Sequence, residues 1–139
     1  MRNNASTLIA LLCFFYGCAV VSSSTINNEV KLRQRIEQAY NCLKEKKYDK
    51  FLNYIEVAQS YDNTKKNNAL RVLSLSPIIV EYIIKDIEIN GETAKVRIKI
   101  TFQIENKKTN EIKRGEEEYF DHWIFINNVW YLSDFSKEW

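Results

Sequence analysis

Two carboxylates, one imidazole and a cluster of aromatic rings near the C-terminus are the residues of this 139-residue chain that could do chemistry. His122 is the only histidine, so any mechanism that needs an imidazole has a single candidate. Its neighbour Asp121 points to the opposite face of an extended strand, which breaks the simplest Asp–His dyad. Folding the chain about Asn127-Asn128 instead sets Asp121 across from Asp134. Two carboxylates at that distance, beside Tyr119, Trp123 and Trp130, would push one pKa upward, as a general base requires. The competing reading is a pair of solvated aspartates at the open end of a hairpin. Tyr119, Trp123, Phe125 and Trp130 are also the candidate lining of an apolar ligand pocket, with core packing as the competing explanation.

Other chemistries lack their residues. The chain has three glycines and carries no glycine-rich phosphate loop, nucleophile elbow or metal-ligand spacing, so no cofactor and no metal is expected. Of three cysteines, Cys13 lies in an apolar N-terminal run, Cys18 ends that run, and Cys42 stands alone in a helical pattern, where it reads as a small buried hydrophobe. The run Leu8–Val21 is short of the roughly 20 residues a spanning helix needs and is broken by Gly17. With Arg2 before it and "SSSTINN" after it, it reads as an export signal. Within it, "FYGC" resembles the bacterial lipobox, in which a small residue precedes the cysteine that is acylated. Gly17 fits that pattern; Phe15 and Tyr16 depart from it. The resemblance implies a lipid on Cys18 and anchorage at the membrane of a bacterial cell envelope. The alternative is cleavage after the serines to give a free secreted or periplasmic protein.

The chain therefore divides into a signal at 1–17, an attachment cysteine with a flexible polar tether at 18–28, and one domain at 29–139. The formal net charge is +2, and the runs "KEKKYDK" and "KKTNEIKR" have no interleaved aromatics, so they read as solvated loops and helix ends. No nucleic-acid partner is expected.

The elements that must position the candidates follow from periodicity. Leu32, Ile36, Ala39, Tyr40 and Leu43 recur at helical spacing, with Lys31, Arg35, Glu37 and Lys44 on the other side, giving a helix from Glu29 to about Lys46. Asp49 is the expected N-cap of a second helix burying Phe51, Leu52, Ile55 and Ala58. A third, burying Ala69, Leu70 and Leu73, is closed by Pro77. The period then changes to two: Ala94, Val96, Ile98, Ile100, Phe102 and Ile104 face one way. Asn90-Gly91 predicts a two-residue turn that pairs Ile87 with Ala94, Ile83 with Ile98, Ile79 with Phe102 and Asp86 with Lys95. That register leaves Ile78, Val80, Tyr82 and Ile84 on the outer face. Asn127-Asn128 predicts a second hairpin, pairing Ile126 with Val129, Phe125 with Trp130, Ile124 with Tyr131, Trp123 with Leu132, His122 with Ser133 and Phe120 with Phe135. The expected fold class is α+β, with three N-terminal helices packed on a curved antiparallel four-stranded sheet.

This order of elements, and the ending "DHWIFINNVWYLSDF", resemble the cystatin-like roll of the nuclear transport factor 2-like superfamily, over Glu29 to Phe135. The resemblance implies a cone whose sheet curls around the helices, used in that superfamily by enzymes, by ligand binders or merely as a core. Fold alone does not choose among them. The leading expectation is a non-catalytic domain that binds a small apolar ligand or an envelope protein. An acid–base isomerase or dehydratase using a carboxylate in an apolar cone is the second, and a subunit acting through self-association the third. A pocket with an ionisable residue at its base would favour the second, and a closed pocket the third. An outer stripe of Val80, Tyr82 and Ile84 would be the dimer face, with Tyr82 at its centre and the C-terminal tail as the rival cover.

Overall fold

A computed structural model describes residues 23–106 and 108–133. Cys18, Asp134, Phe135 and Trp139 lie outside the described residues, as does the proposed signal. Three helices, α1 (Ser23–Lys44), α2 (Tyr48–Phe51) and α3 (Asn63–Leu75), precede four strands, β1 (Ile78–Asn90), β2 (Thr93–Asn106), β3 (Glu111–Ile126) and β4 (Val129–Leu132). The strands form one antiparallel sheet in the order β1-β2-β3-β4, with the helices against one face. The fold is α+β, as expected.

The α1 stripe is as read: Leu32, Ile36, Ala39, Tyr40 and Leu43 are all buried. The helix begins earlier than the periodicity implied, so residues 23–28, expected as tether, are helical. It ends on a left-handed residue, Lys46 (φ 57°), with Lys46 N–H donating to Leu43 O and Lys47 N–H to Cys42 O. That pairing is a Schellman closure, which satisfies carbonyls the last turn leaves open. The second helix is shorter than expected. Asp49 lies inside α2, the N-cap is Lys47 without a side-chain bond, and Leu52–Tyr54 and Val57–Ser60 are 3-10 turns. Between those turns Ile55 is extended and bridges Leu132, with Glu56 N–H donating to Leu132 O, so this segment is tied to the sheet edge at β4. Phe51, Leu52 and Ile55 are buried nonetheless. The third helix has a true cap, Asp62, whose carboxylate accepts from Lys65 N–H at 2.8 Å. Leu73 is buried, and Ala69 and Leu70 pack against the core.

The second hairpin has the predicted register from Ile126↔Val129 to Trp123↔Leu132. Asn127 and Asn128 both adopt left-handed backbone (φ 50° and 65°), the demand of a type I′ turn. Ser133 N–H then donates to His122 O at 2.8 Å. The first hairpin corrects the reading. Asn90 pairs with Thr93, so the loop is Gly91-Glu92, with φ +60° at its first position. Ile87 therefore meets Val96, Ile84 meets Ile98 and Asp86 meets Arg97. Two register shifts, between Ile79 and Glu81 and between Ile84 and Asp86, leave Val80 and Lys85 as extra residues and return the far end to the predicted Ile79↔Phe102. Each bulge also resets which residues face the helices, so the inward set is Ile79, then Tyr82 and Ile84, then Ile87 and Ile89.

Strand β3 begins at Glu111, where a solvated loop was expected. Its N-terminal half pairs with β2 down to Asn106↔Glu111. Exposed Ile104 and Ile112 mark this extension beyond the helical layer. Gly115 sits opposite Phe102, whose ring lies 2.7 Å from where a Cβ would stand, so ring and glycine fill one space.

Candidate functional site

The alternation of β3 sends Asp121 toward the helices and His122 outward, as the strand pattern implied. Burial alters the picture for the carboxylate. Asp121 is 7% exposed and is the one charged side chain buried among the described residues, so the solvated reading does not hold. Its partner comes from α1. Tyr40 OH donates to Asp121 Oδ2 at 2.8 Å, and the Tyr40 and Tyr119 hydroxyls are 2.8 Å apart. With the carboxylate ionised, the single Tyr40 proton is committed to it, so Tyr119 donates to Tyr40.

The electrostatics follow from burial. Loss of solvent raises the Asp121 carboxyl from 3.8 to about 6, against the downward pull of the Tyr40 hydrogen bond and of the nearby Trp123 indole. The indole acts there by proximity: its buried N–H makes no hydrogen bond of ordinary geometry. Tyr40 and Tyr119 are both pushed up, first by burial and then by the Asp121 charge, so both hydroxyls stay protonated donors.

Trp123 and Trp130 are 1% and 2% exposed, and Phe125 packs on Trp130 with ring centroids 5.0 Å apart, so most of their surface is core. Two hollows are described, and neither is lined by Asp121, Tyr40 or Tyr119. One, of about 340 Å³, is bordered at the turn end of the sheet by Glu88, Lys95, Ser133 and two of the expected site residues, His122 and Trp123. Lys95 Nζ there stands 4.1 Å over the Phe120 ring. The other, of about 150 Å³, lies between α1 and the β3–β4 turn.

The expected dimer face is corrected by the bulges. Val80 is outward at 36% exposure, but the Tyr82 ring packs on Tyr40 at 5.0 Å and its one hydroxyl proton is within reach of either Glu37 O or Asn41 Oδ1, each at 3.3 Å, while Ile84 packs on the core. Ile83, expected inside, is outward and 47% exposed. Neighbouring outer positions carry ion pairs, Arg97 with Glu118 and Lys99 with Glu116. Among the described residues no cluster could hold a metal ion, and no helix is long and apolar enough to cross a membrane.

Sequence reasoning missed two residues. Tyr40 was read as part of the apolar stripe, although a buried phenol needs a partner for its hydroxyl, and that need was the available signal. Arg35 was placed on the solvent side; it donates Nε–H to Trp130 O at 3.1 Å and Nη2 to Asn53 O at 2.9 Å, and its guanidinium lies 4.2 Å over the Tyr54 ring. Nothing local in the sequence distinguishes it from its exposed neighbours.

No protein-family model matches the chain, and no curated protein matches it. Solved structures do. A SEC-C motif-containing protein from Rhodopseudomonas palustris is similar at 12% identity with a TM-score of 0.53, over 72% of this chain and 73% of that one. An NTF2-like (nuclear transport factor 2-like) transpeptidase from Campylobacter jejuni is similar at 11% identity and TM-score 0.49, over 78% and 97% of the two chains. A calcium/calmodulin dependent protein kinase II association domain from Xanthomonas campestris is similar at 11% identity and TM-score 0.47, over 74% and 84%. At these identities the likeness is one of fold.

Proposed function

We propose that this protein is a divergent member of the nuclear transport factor 2-like superfamily, exported and lipid-anchored through Cys18 in a bacterial cell envelope, that acts through its surface as a non-catalytic binding domain. The superfamily reading is supported by the order of helices and antiparallel hairpins and by the closing Trp-turn-Trp-Tyr hairpin. The observation that carries the binding reading is how Asp121 is held: the one buried charge among the described residues, it is engaged by Tyr40, and neither it nor Tyr40 nor Tyr119 lines either hollow described. An isomerase or dehydratase needs its carboxylate to face a space of substrate size. The attachment is tested by expressing Cys18→Ala and fractionating cells. The variant is expected to leave the membrane fraction for the soluble one; equal retention of variant and parent would remove the lipid anchor.

A second reading, self-association, is favoured by the exposed Val80 and Ile83 on edge strand β1.

A further inference from the structure

The hollow between α1 and the β3–β4 turn has cations and carboxamides as its polar lining. Lys31, Gln34, Arg35 and Gln38 share one face of α1, at three- and four-residue spacings, and meet Asn128, Val129 and Trp130 there. Two cations and three carboxamides surround about 150 Å³, and no carboxylate lines it. Lys31 and Arg35 stand four residues apart, a spacing at which like charges repel, and neither has an ion pair among the described residues. Arg35 is also fixed in place. Its bonds to Trp130 O and Asn53 O use two of the five guanidinium N–H donors, and the Tyr54 ring covers one face, so the remaining donors are held without further ordering cost.

We infer that this hollow is a binding site for a single oxyanion group, a carboxylate or a phosphate, held by Arg35 and Lys31 with the carboxamides of Gln34, Gln38 and Asn128 around it. A fixed guanidinium matches the planar or tetrahedral oxygens of such a group, and a second cation one helical turn away neutralises its charge. The bound anion removes the Lys31–Arg35 repulsion that the folded protein otherwise carries. The inference rests on the binding reading and gives it a ligand class. Its failure would leave the Cys18 fractionation result untouched, and loss of the anchor would leave this site standing. The group has two sources, a free small molecule or the phosphate of a lipid headgroup.

The test is an NMR titration of the ¹⁵N-labelled full chain with sodium phosphate and with sodium acetate, against sodium chloride at matched ionic strength. Phosphate or acetate is expected to move the Gln34, Gln38 and Asn128 side-chain amide signals saturably. Lys31 is exposed, so Lys31→Gln keeps the fold, and it should weaken the binding about tenfold, the loss of one charge-assisted contact. Lys44→Gln, which removes the same charge elsewhere on α1, should leave it unchanged. Equal shifts with chloride, or equal weakening by both variants, would show a response to net charge and overturn the site. Vesicles separate the sources: capture by phosphatidylglycerol but not phosphatidylcholine, lost in Lys31→Gln, assigns a lipid headgroup. Saturable phosphate or acetate binding without vesicle capture assigns a soluble ligand.

Discussion

Asp121 concentrates the residue-scale argument. Its folded pKa of about 6 lies above the 3.8 of an ordinary aspartate, so between those values the folded protein holds a proton the unfolded chain has released. Stability from this group is therefore present at low pH, falls as pH rises through that window, and is flat above it. At about 1.4 kcal/mol per unit, two units amount to about 3 kcal/mol. Asp121→Asn retains an oxygen to accept from Tyr40 but never ionises. Urea unfolding is expected to show the variant equal to its parent near pH 4 and more stable by up to that amount above pH 7. A parent that gains on the variant as pH rises would contradict this account of the buried carboxyl. The sequence showed Asp121 and its facing direction, because strand alternation reports direction. It did not show the partner, because Tyr40 is 81 residues away and enters only through tertiary packing.

At the scale of elements, the two hairpins were unequally legible for a physical reason. The second has a turn whose two asparagines both take the left-handed backbone and no bulge beyond it, so its register could be counted from the turn alone. The first was misread by one residue because Asn90-Gly91 is turn chemistry in either frame. The β1 run is also apolar at both parities, so no pattern error exposed the bulges. The arm formed by β2 and β3 carries its own test. Gly115→Ala would place a methyl 2.7 Å from the Phe102 ring, forcing the ring off the sheet, and is expected to destabilise by about 1 to 3 kcal/mol. In a Phe102→Leu background the same change should cost little. Thermal unfolding of the four proteins measures the coupling, and additive costs would mean the two side chains do not share that space.

For the whole molecule, the outer sheet face decides between monomer and dimer. Ile83 projects outward beside Val80 while Tyr82 is spent on α1, so a dimer through this face depends on Ile83. Ile83→Glu is expected to shift sedimentation toward the monomer without changing thermal stability much, since the side chain is outside the core. A parent that sediments as a monomer at tens of micromolar would exclude the dimer. The contacts that close the molecule are also among its most distant in sequence: Arg35 reaches Trp130 over 95 residues and Tyr40 reaches Asp121 over 81. The first helix thus gets its walls from the last hairpin. During synthesis the buried face of α1 therefore stays open until the β3–β4 hairpin has been made, and the core closes only when Trp130 and Leu132 arrive.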